Sequence, residues 1–372
     1  MRSWPVAVSL AAVGAMAAWS LRGVRSDTAL PDVILITLDT TRADALGCYG
    51  APDDRSPHLD ALAREGVLFE RCATSSAITP PAHASILTGL QPYQHGLRVF
   101  SGHGGYRLPA DVPTLATVLR DRGYTTAAVH SAFPVSAAFG FERGFEVFES
   151  FGAGFISAMA AADEGLGKWS NEDFQRRSDA TIDLALDVLD AAEGPLFLWV
   201  HLFDPHDLRV QPPPEFSRAE VADLPENAPG RRDALYSEEV RYQDAQLGRL
   251  FAGLRRHGRY ENALIAVVAD HGEGLSDGVA RHGWSKHSIL YDEQLHVPLV
   301  MRGPGLPAGR RVTSLVRTVD LLPTLLELLE TPAPRPLAGE SLLPLLDGAA
   351  DEHDPRTVYA EQLAGYELPR PP

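Results

Sequence analysis

Two short apolar runs, each stopping at metal-binding side chains, limit what this chain can fold into more than any other feature. VILITL (33–38) runs directly into Asp39, and ALIAVVA (263–269) runs into Asp270 and His271. Runs this short and this rich in aliphatic and β-branched residues read as strands buried on both faces. Such strands belong to a sheet covered by helices on either side. Side chains just beyond their C-terminal ends face the crevice where open α/β sheets place their ligands. An alternative reading of Asp39, as the cap of a following helix, is ordinary for an Asp before a polar turn. The Asp-His pair at the second run favours a metal role for both, and Gly272 and Gly274 permit the tight turn such a pair needs.

The rest of the chain alternates in the same way. Helical spacing is predicted over 56–66, 112–123 and 180–192, and buried strands over 125–130 and 195–203. The expected fold is therefore α/β, a central mostly parallel mixed sheet with helices on both faces. A length of 372 residues with 45% hydrophobic content is enough for one large core. The formal charge of −16 argues against a nucleic-acid or anionic-membrane partner. It does not exclude a phosphate or sulfate substrate, because a bound cation reverses the local field. The two cysteines, Cys48 and Cys72, lack zinc-finger spacing and are expected to be buried thiols.

A third segment supplies a nucleophile. In Ala77–Gly89, Thr79 precedes Pro80 and Pro81, residues suited to the first turn of a helix, where backbone N–H groups favour anions. A plain N-cap is the competing role for Thr79. Carboxylate, hydroxyl, carboxylate and imidazole together can hold one divalent cation (Mn, Zn, Mg or Ca) and one nucleophile, the equipment of a phosphate- or sulfate-ester hydrolase.

Six phrases in order carry a family resemblance: LDTTRAD, TPPAHASILTG, ADHGEG, LYDEQLHVPLVMRGPG, VDLLPTLLELL and GESLLPLL. The chain resembles the sulfatase family of the alkaline phosphatase superfamily from about Asp32 to Leu346. The resemblance implies an alkaline-phosphatase-like sandwich and a metal site built from Asp39, Thr79, Asp270 and His271. Thr79 falls where sulfatases carry the cysteine or serine that becomes formylglycine. A threonine cannot undergo that conversion, so the resemblance implies an unmodified hydroxyl nucleophile and favours phosphoester or phosphodiester substrates over sulfate esters. Thr40 replaces a frequent second acid, and His83 replaces the arginine of the Cys-x-Pro-Ser-Arg signature. His130-Ser131-Ala132-Phe133 stands where sulfatases carry a sulfate-gripping lysine and histidine. His206, in FLWVHLFDPHDL, resembles the family's leaving-group contact, and Lys286 or His287 the substrate-binding base near LYDEQLHVP. Thr40, His83 and His201 complete the set as candidate substrate contacts, although His201, inside its apolar strand run, is better suited to a structural place. A phosphotransferase, a sulfate-ester hydrolase and a non-catalytic binding protein remain alternatives on the same fold.

Residues 1–27 read separately. Arg2 is followed by an uncharged apolar stretch over 4–21 with small residues near Ala15–Ala17, fitting an export signal or an N-terminal membrane tether. The expected product is periplasmic, secreted or anchored facing outward, acting on a small-molecule, glycan or lipid ester. Residues 28–348 form the expected catalytic domain. Residues 349–372 correspond to the start of a C-terminal subdomain that is largely absent. The proline- and acid-rich stretch 207–232 reads as a surface excursion.

Overall fold

The computed structural model describes residues 30–52, 55–100, 105–149, 174–206, 208, 211–218, 221, 223–225, 228, 230–275, 289–346 and 356–363. Its frame is a sheet of strands β1 (Val33–Leu38), β2 (Val67–Ala73), β3 (Thr125–His130), β4 (Val147–Phe148), β5 (Leu196–Leu202), β6 (Leu264–Ala269), β7 (His296–Arg302) and β8 (Arg310–Arg317). They lie in the order β4-β3-β5-β1-β6-β7-β2-β8. Every neighbouring pair is parallel except the two made by β7, which runs antiparallel to β6 and β2. The mixed, mostly parallel sheet is the expected one.

Every residue of β1, β5 and β6 is buried, as strands covered on both faces must be. The covering helices form two packed groups. One contains α1 (Pro57–Glu65), α4 (Ser178–Ala191) and α5 (Arg231–Arg256); the other contains α2 (Thr79–Thr88), α3 (Leu115–Asp121) and α6 (Leu321–Leu328). α1 opens on Pro57 and buries Leu59, Leu62 and Ala63, one stripe at helical spacing. Its first N–H groups are capped from α5, where Asp244 accepts from His58 N at 3.0 Å and Leu59 N at 2.9 Å. α3 starts later than its periodicity suggests because Thr114 forms a capping box with Thr117 just after Pro113. α2 is buried along its whole length and ends on Gly89 in the left-handed region at φ 65°, a conformation glycine adopts without strain.

The register of the central strands positions the site. Leu38 of β1 pairs with Leu202 of β5 and with Ala269 of β6, so three parallel strands end level. Asp39 N donates to Leu202 O at 2.9 Å, and Asp270 N donates to Leu38 O at 3.3 Å. The first residue past β1 and the first past β6 are thereby brought side by side. Beyond the sheet, Glu361 N donates to Ser75 O at 3.0 Å, and the Glu361 carboxylate takes two 2.7 Å bonds from Arg98. Among the described residues no helix is long and apolar enough to cross a membrane. The predicted tether over 4–21 lies outside the described residues.

Candidate active site

Asp39, Asp270 and His271 each offer a ligand atom within 4.8 Å of the others, and all three side chains are buried. The orientation of the group follows from local bonds. His271 N and Thr40 N both donate to Asp270 Oδ1, at 2.7 and 3.2 Å, which leaves Oδ2 directed elsewhere. His201 Nε2 lies 3.3 Å from Asp39 Oδ2 and engages that oxygen. Asp39 Oδ1 and Asp270 Oδ2 are buried and take no hydrogen bond from the described residues. His271 Nδ1 donates to the Gly272 carbonyl at 2.9 Å, so the neutral ring turns the lone pair of Nε2 toward the cluster. That Nε2 lies 3.4 Å from Asp270 Oδ2. Two lone pairs facing each other are satisfied by a proton held between them or by a cation.

Electrostatics bears on the same choice. Burial pushes the Asp39 carboxyl well above the usual carboxylate range, partly offset by the nearby Thr79 hydroxyl. Asp270 is likewise pushed up, first by burial and then by the charge of Asp39. Two enclosed carboxylates without a protein cation between them are costly unless a metal ion compensates them. The donor set of two carboxylate oxygens and one imidazole nitrogen fits a divalent ion.

The turns that present these groups are tight. Gly272 sits where a Cβ would come within 1.9 Å of Glu293 O, so a side chain there would displace the His271 loop. Thr40 is held at φ 49°, an unusual conformation for a β-branched residue. Tyr236 of α5 stabilises it: its hydroxyl donates to Thr40 O at 2.8 Å and accepts from Arg42 N at 2.9 Å. Glu273, one residue past Gly272, is also enclosed and pairs with Arg232 at 3.3 Å.

Thr79 occupies the first turn of α2, and its Oγ1 lies 3.3 Å from His271 Nε2. Ile78 rather than Thr79 takes the N-cap position, and no side chain caps the helix there. Thr79, Asp39, Asp270 and His271 are thus brought together. His83, one turn further along α2, is fully enclosed between Thr79 O, Thr37 and Asp270. Burial pushes its pKa well down, and that of His201 down to about 3. Both rings, and Thr40, have no exposure to solvent.

The remaining candidates separate from this group. His206 follows β5 in a short 3-10 turn, Asp204–His206, and stacks on Phe203 with ring centroids 4.2 Å apart. Asp204 beside it faces away, accepting from Ser178 N at 3.2 Å and from the Ser178 hydroxyl, and lying 3.6 Å from Arg177. Lys286 and His287 lie outside the described residues. Sequence reasoning missed Tyr236, Thr37 and Trp199. Thr37 left a signal, as the one hydroxyl inside an apolar strand; Tyr236 left none, being remote in sequence and on a largely polar helix.

A mixed α/β sheet ending level at a buried acid–histidine cluster, with a hydroxyl on an adjacent helix N-terminus, defines an alkaline-phosphatase-like hydrolase fold. The family described as "Sulfatase" matches residues 31–331. A Δ4,5-hexuronate-2-O-sulfatase of Bacteroides thetaiotaomicron is 26% identical, the match covering 91% of this chain and 76% of the relative. A phosphonate monoester hydrolase of Agrobacterium radiobacter has a similar structure, with a TM-score of 0.70 at 24% identity over 88% of this chain and 79% of the other. A second one, from Silicibacter pomeroyi, gives 0.67 at 25% identity, covering 88% and 78%. The chain belongs to the sulfatase family and is an ester-hydrolysing enzyme.

Proposed function

We propose that this enzyme cleaves phosphoric or sulfuric esters, preferentially phosphoesters and phosphodiesters, through Thr79 as nucleophile. The observation that carries the reading is the placement of Thr79 Oγ1 in the first turn of α2, 3.3 Å from His271 Nε2 and beside the unbonded oxygens of Asp39 and Asp270. Asp39, Asp270 and His271 would hold one divalent ion. When bound, that ion supplies charge neutralisation and a lowered pKa for a neighbouring hydroxyl.

The residues perform the remaining steps. The N-terminus of α2 favours an anionic group at Thr79. Thr79 Oγ1 gives up its proton to solvent and forms a bond to phosphorus or sulfur as the bond to the leaving oxygen breaks. The leaving oxygen keeps the electron pair and takes a proton, for which His206 on the turn after β5 is the proposed donor. Water then cleaves the Thr79 ester and restores the hydroxyl. Because threonine cannot become formylglycine, the aldehyde-hydrate route is closed to this chain.

Sulfate-ester hydrolysis is the second reading, favoured by the sulfatase named above at 26% identity. That relative also makes a glycan ester a reasonable substrate class. The basic and apolar character of residues 1–27 supports export to the periplasm or exterior.

The test compares nitrophenyl phosphate, bis-nitrophenyl phosphate and nitrophenyl sulfate with Mn²⁺, Zn²⁺, Mg²⁺ or Ca²⁺ supplied. Thr79→Ala is expected to lower kcat about a thousandfold or more on the preferred ester while retaining the metal. Turnover surviving in Thr79→Ala would require a different nucleophile.

A further inference from the structure

His83 is buried, it is not needed as a metal ligand, and the reaction just described does not use it. It nevertheless touches groups from four elements. Its Nδ1 lies 2.9 Å from Thr79 O on its own helix and 3.4 Å from Asp270 Oδ2 at the end of β6. Its Nε2 lies 3.0 Å from Thr37 Oγ1 on β1. Thr37 Oγ1 in turn accepts from the indole N–H of Trp199 on β5 at 3.0 Å.

The chemistry of these partners fixes the direction of every bond. A carbonyl oxygen can only accept, so His83 Nδ1 must carry a proton to bond Thr79 O. The indole N–H of Trp199 can only donate, which occupies Thr37 Oγ1 as an acceptor. The Thr37 hydroxyl proton is then free to point at His83 Nε2. The chain reads Trp199 to Thr37 to His83 to Thr79 without a conflict. His201 contrasts with it. Its Nδ1 takes the Ser131 N–H at 3.4 Å, leaving Nε2–H to face Asp39 Oδ2. The two rings meet edge-on with centroids 4.9 Å apart, and each directs its N–H at a different part of the site.

We infer that His83 is a positioning residue, held as its Nδ1–H tautomer by Thr37, that fixes the first turn of α2 and aligns Thr79 with Asp270. The Nδ1–H bonds Thr79 O at 2.9 Å and lies 3.4 Å from the Asp270 carboxylate, so the ring wedges the nucleophile's helix against the acid–histidine loop. A displacement of about 1 Å at a reacting group costs on the order of a hundredfold in rate. The kinetic consequence rests on the reading of Thr79 as nucleophile; the tautomer does not.

Two substitutions separate this role from simple space filling. An asparagine amide places an N–H near the position of His Nδ1, whereas a glutamine amide reaches the position of Nε2. His83→Asn is expected to lose about tenfold or less in kcat and His83→Gln about a hundredfold, with KM for the preferred nitrophenyl ester little changed in either. A role in packing alone predicts the reverse order, since glutamine fills more of the volume. The tautomer is read directly by long-range ¹H–¹⁵N correlation on the full chain labelled with [¹⁵N]histidine and treated with EDTA. His83 is assigned by the signal lost in His83→Gln. A protonated Nδ1 with an unprotonated Nε2 is expected. An Nε2–H tautomer, or His83→Gln matching or exceeding His83→Asn, would overturn the inference. If Thr79→Ala stays active, the nucleophile reading fails while the NMR result still decides the tautomer. If neither His83 variant folds, the wild-type spectrum, assigned through Thr37→Val, decides it.

Discussion

Two clusters of buried acids lie past the ends of the central strands, and among the described residues one of them carries its own cation. At the first, Asp39 and Asp270 face each other with His271, and no Lys or Arg stands between the carboxylates among the described residues. At the second, Asp204 and Glu239 share Arg177, whose guanidinium lies 3.6 Å from one and 3.1 Å from the other and packs over the Tyr242 ring at 4.4 Å. Asp204 also caps the start of α4 through Ser178 N. The second cluster is neutralised from within and joins α4, α5 and the turn after β5. The first has fixed donors with unbonded lone pairs, the arrangement on which the proposed metal site rests. Burial alone does not separate the two clusters; among the described residues the internal counter-charge of Arg177 does.

The contrast is sharpest at the first cluster. Asp270→Asn is expected to weaken Mn²⁺ binding by more than the roughly 10- to 100-fold typical of losing an outer-shell partner, measured by titration calorimetry. The same substitution should raise the Tm of the EDTA-treated protein in mildly alkaline solution, because it removes one of two facing carboxylates whose pKa values are raised by burial. With Mn²⁺ added the order should invert, since wild type gains stability from the ion and the variant does not. A variant less stable than wild type without metal would mean that Asp270 is internally compensated after all.

At the second cluster the reverse is expected. Arg177→Met leaves Asp204 and Glu239 without a counter-ion and should cost about 3–5 kcal/mol in denaturant unfolding, with no recovery on adding divalent metal. Recovery with metal would show that the second cluster is also a cation site.

A smaller effect concerns pH. Burial, reinforced by Asp204, pushes Glu239 from its ordinary 4.5 up to about 9, with Arg177 offsetting only part of the cost. A carboxyl whose folded pKa is raised binds its proton more tightly in the native state. Its contribution is therefore full at low pH and is lost as pH rises from 4.5 through about 9. Glu239→Gln should flatten the decline in Tm across that window and leave the acidic side unchanged. An unaltered slope would place the decline elsewhere.

The sequence revealed the first cluster and not the second, for physical reasons. Asp39, Asp270 and His271 follow apolar runs, and parallel pairing with level ends is sufficient to bring them together. Thr79 was legible from the two prolines that open α2. The second cluster depends on α5, a 26-residue helix whose buried stripe mixes Leu235, Val240, Leu247 and Leu250 with the enclosed polar residues Glu238, Glu239, Gln243 and Asp244. Inward-facing polar side chains obscure helical periodicity, so α5 itself left no pattern to read. The antiparallel course of β7 was equally hidden, because a buried strand has the same composition in either direction.

The most direct test of the central claim is to trap the covalent intermediate. The full chain with Mn²⁺ would be mixed with its preferred nitrophenyl ester, quenched in acid within the first turnovers, digested and examined by mass spectrometry. A phosphoryl or sulfuryl group on Thr79, absent from Thr79→Ala, is the predicted result. Turnover with an adduct on another residue, or a burst of nitrophenol with Thr79 unmodified, would contradict the account.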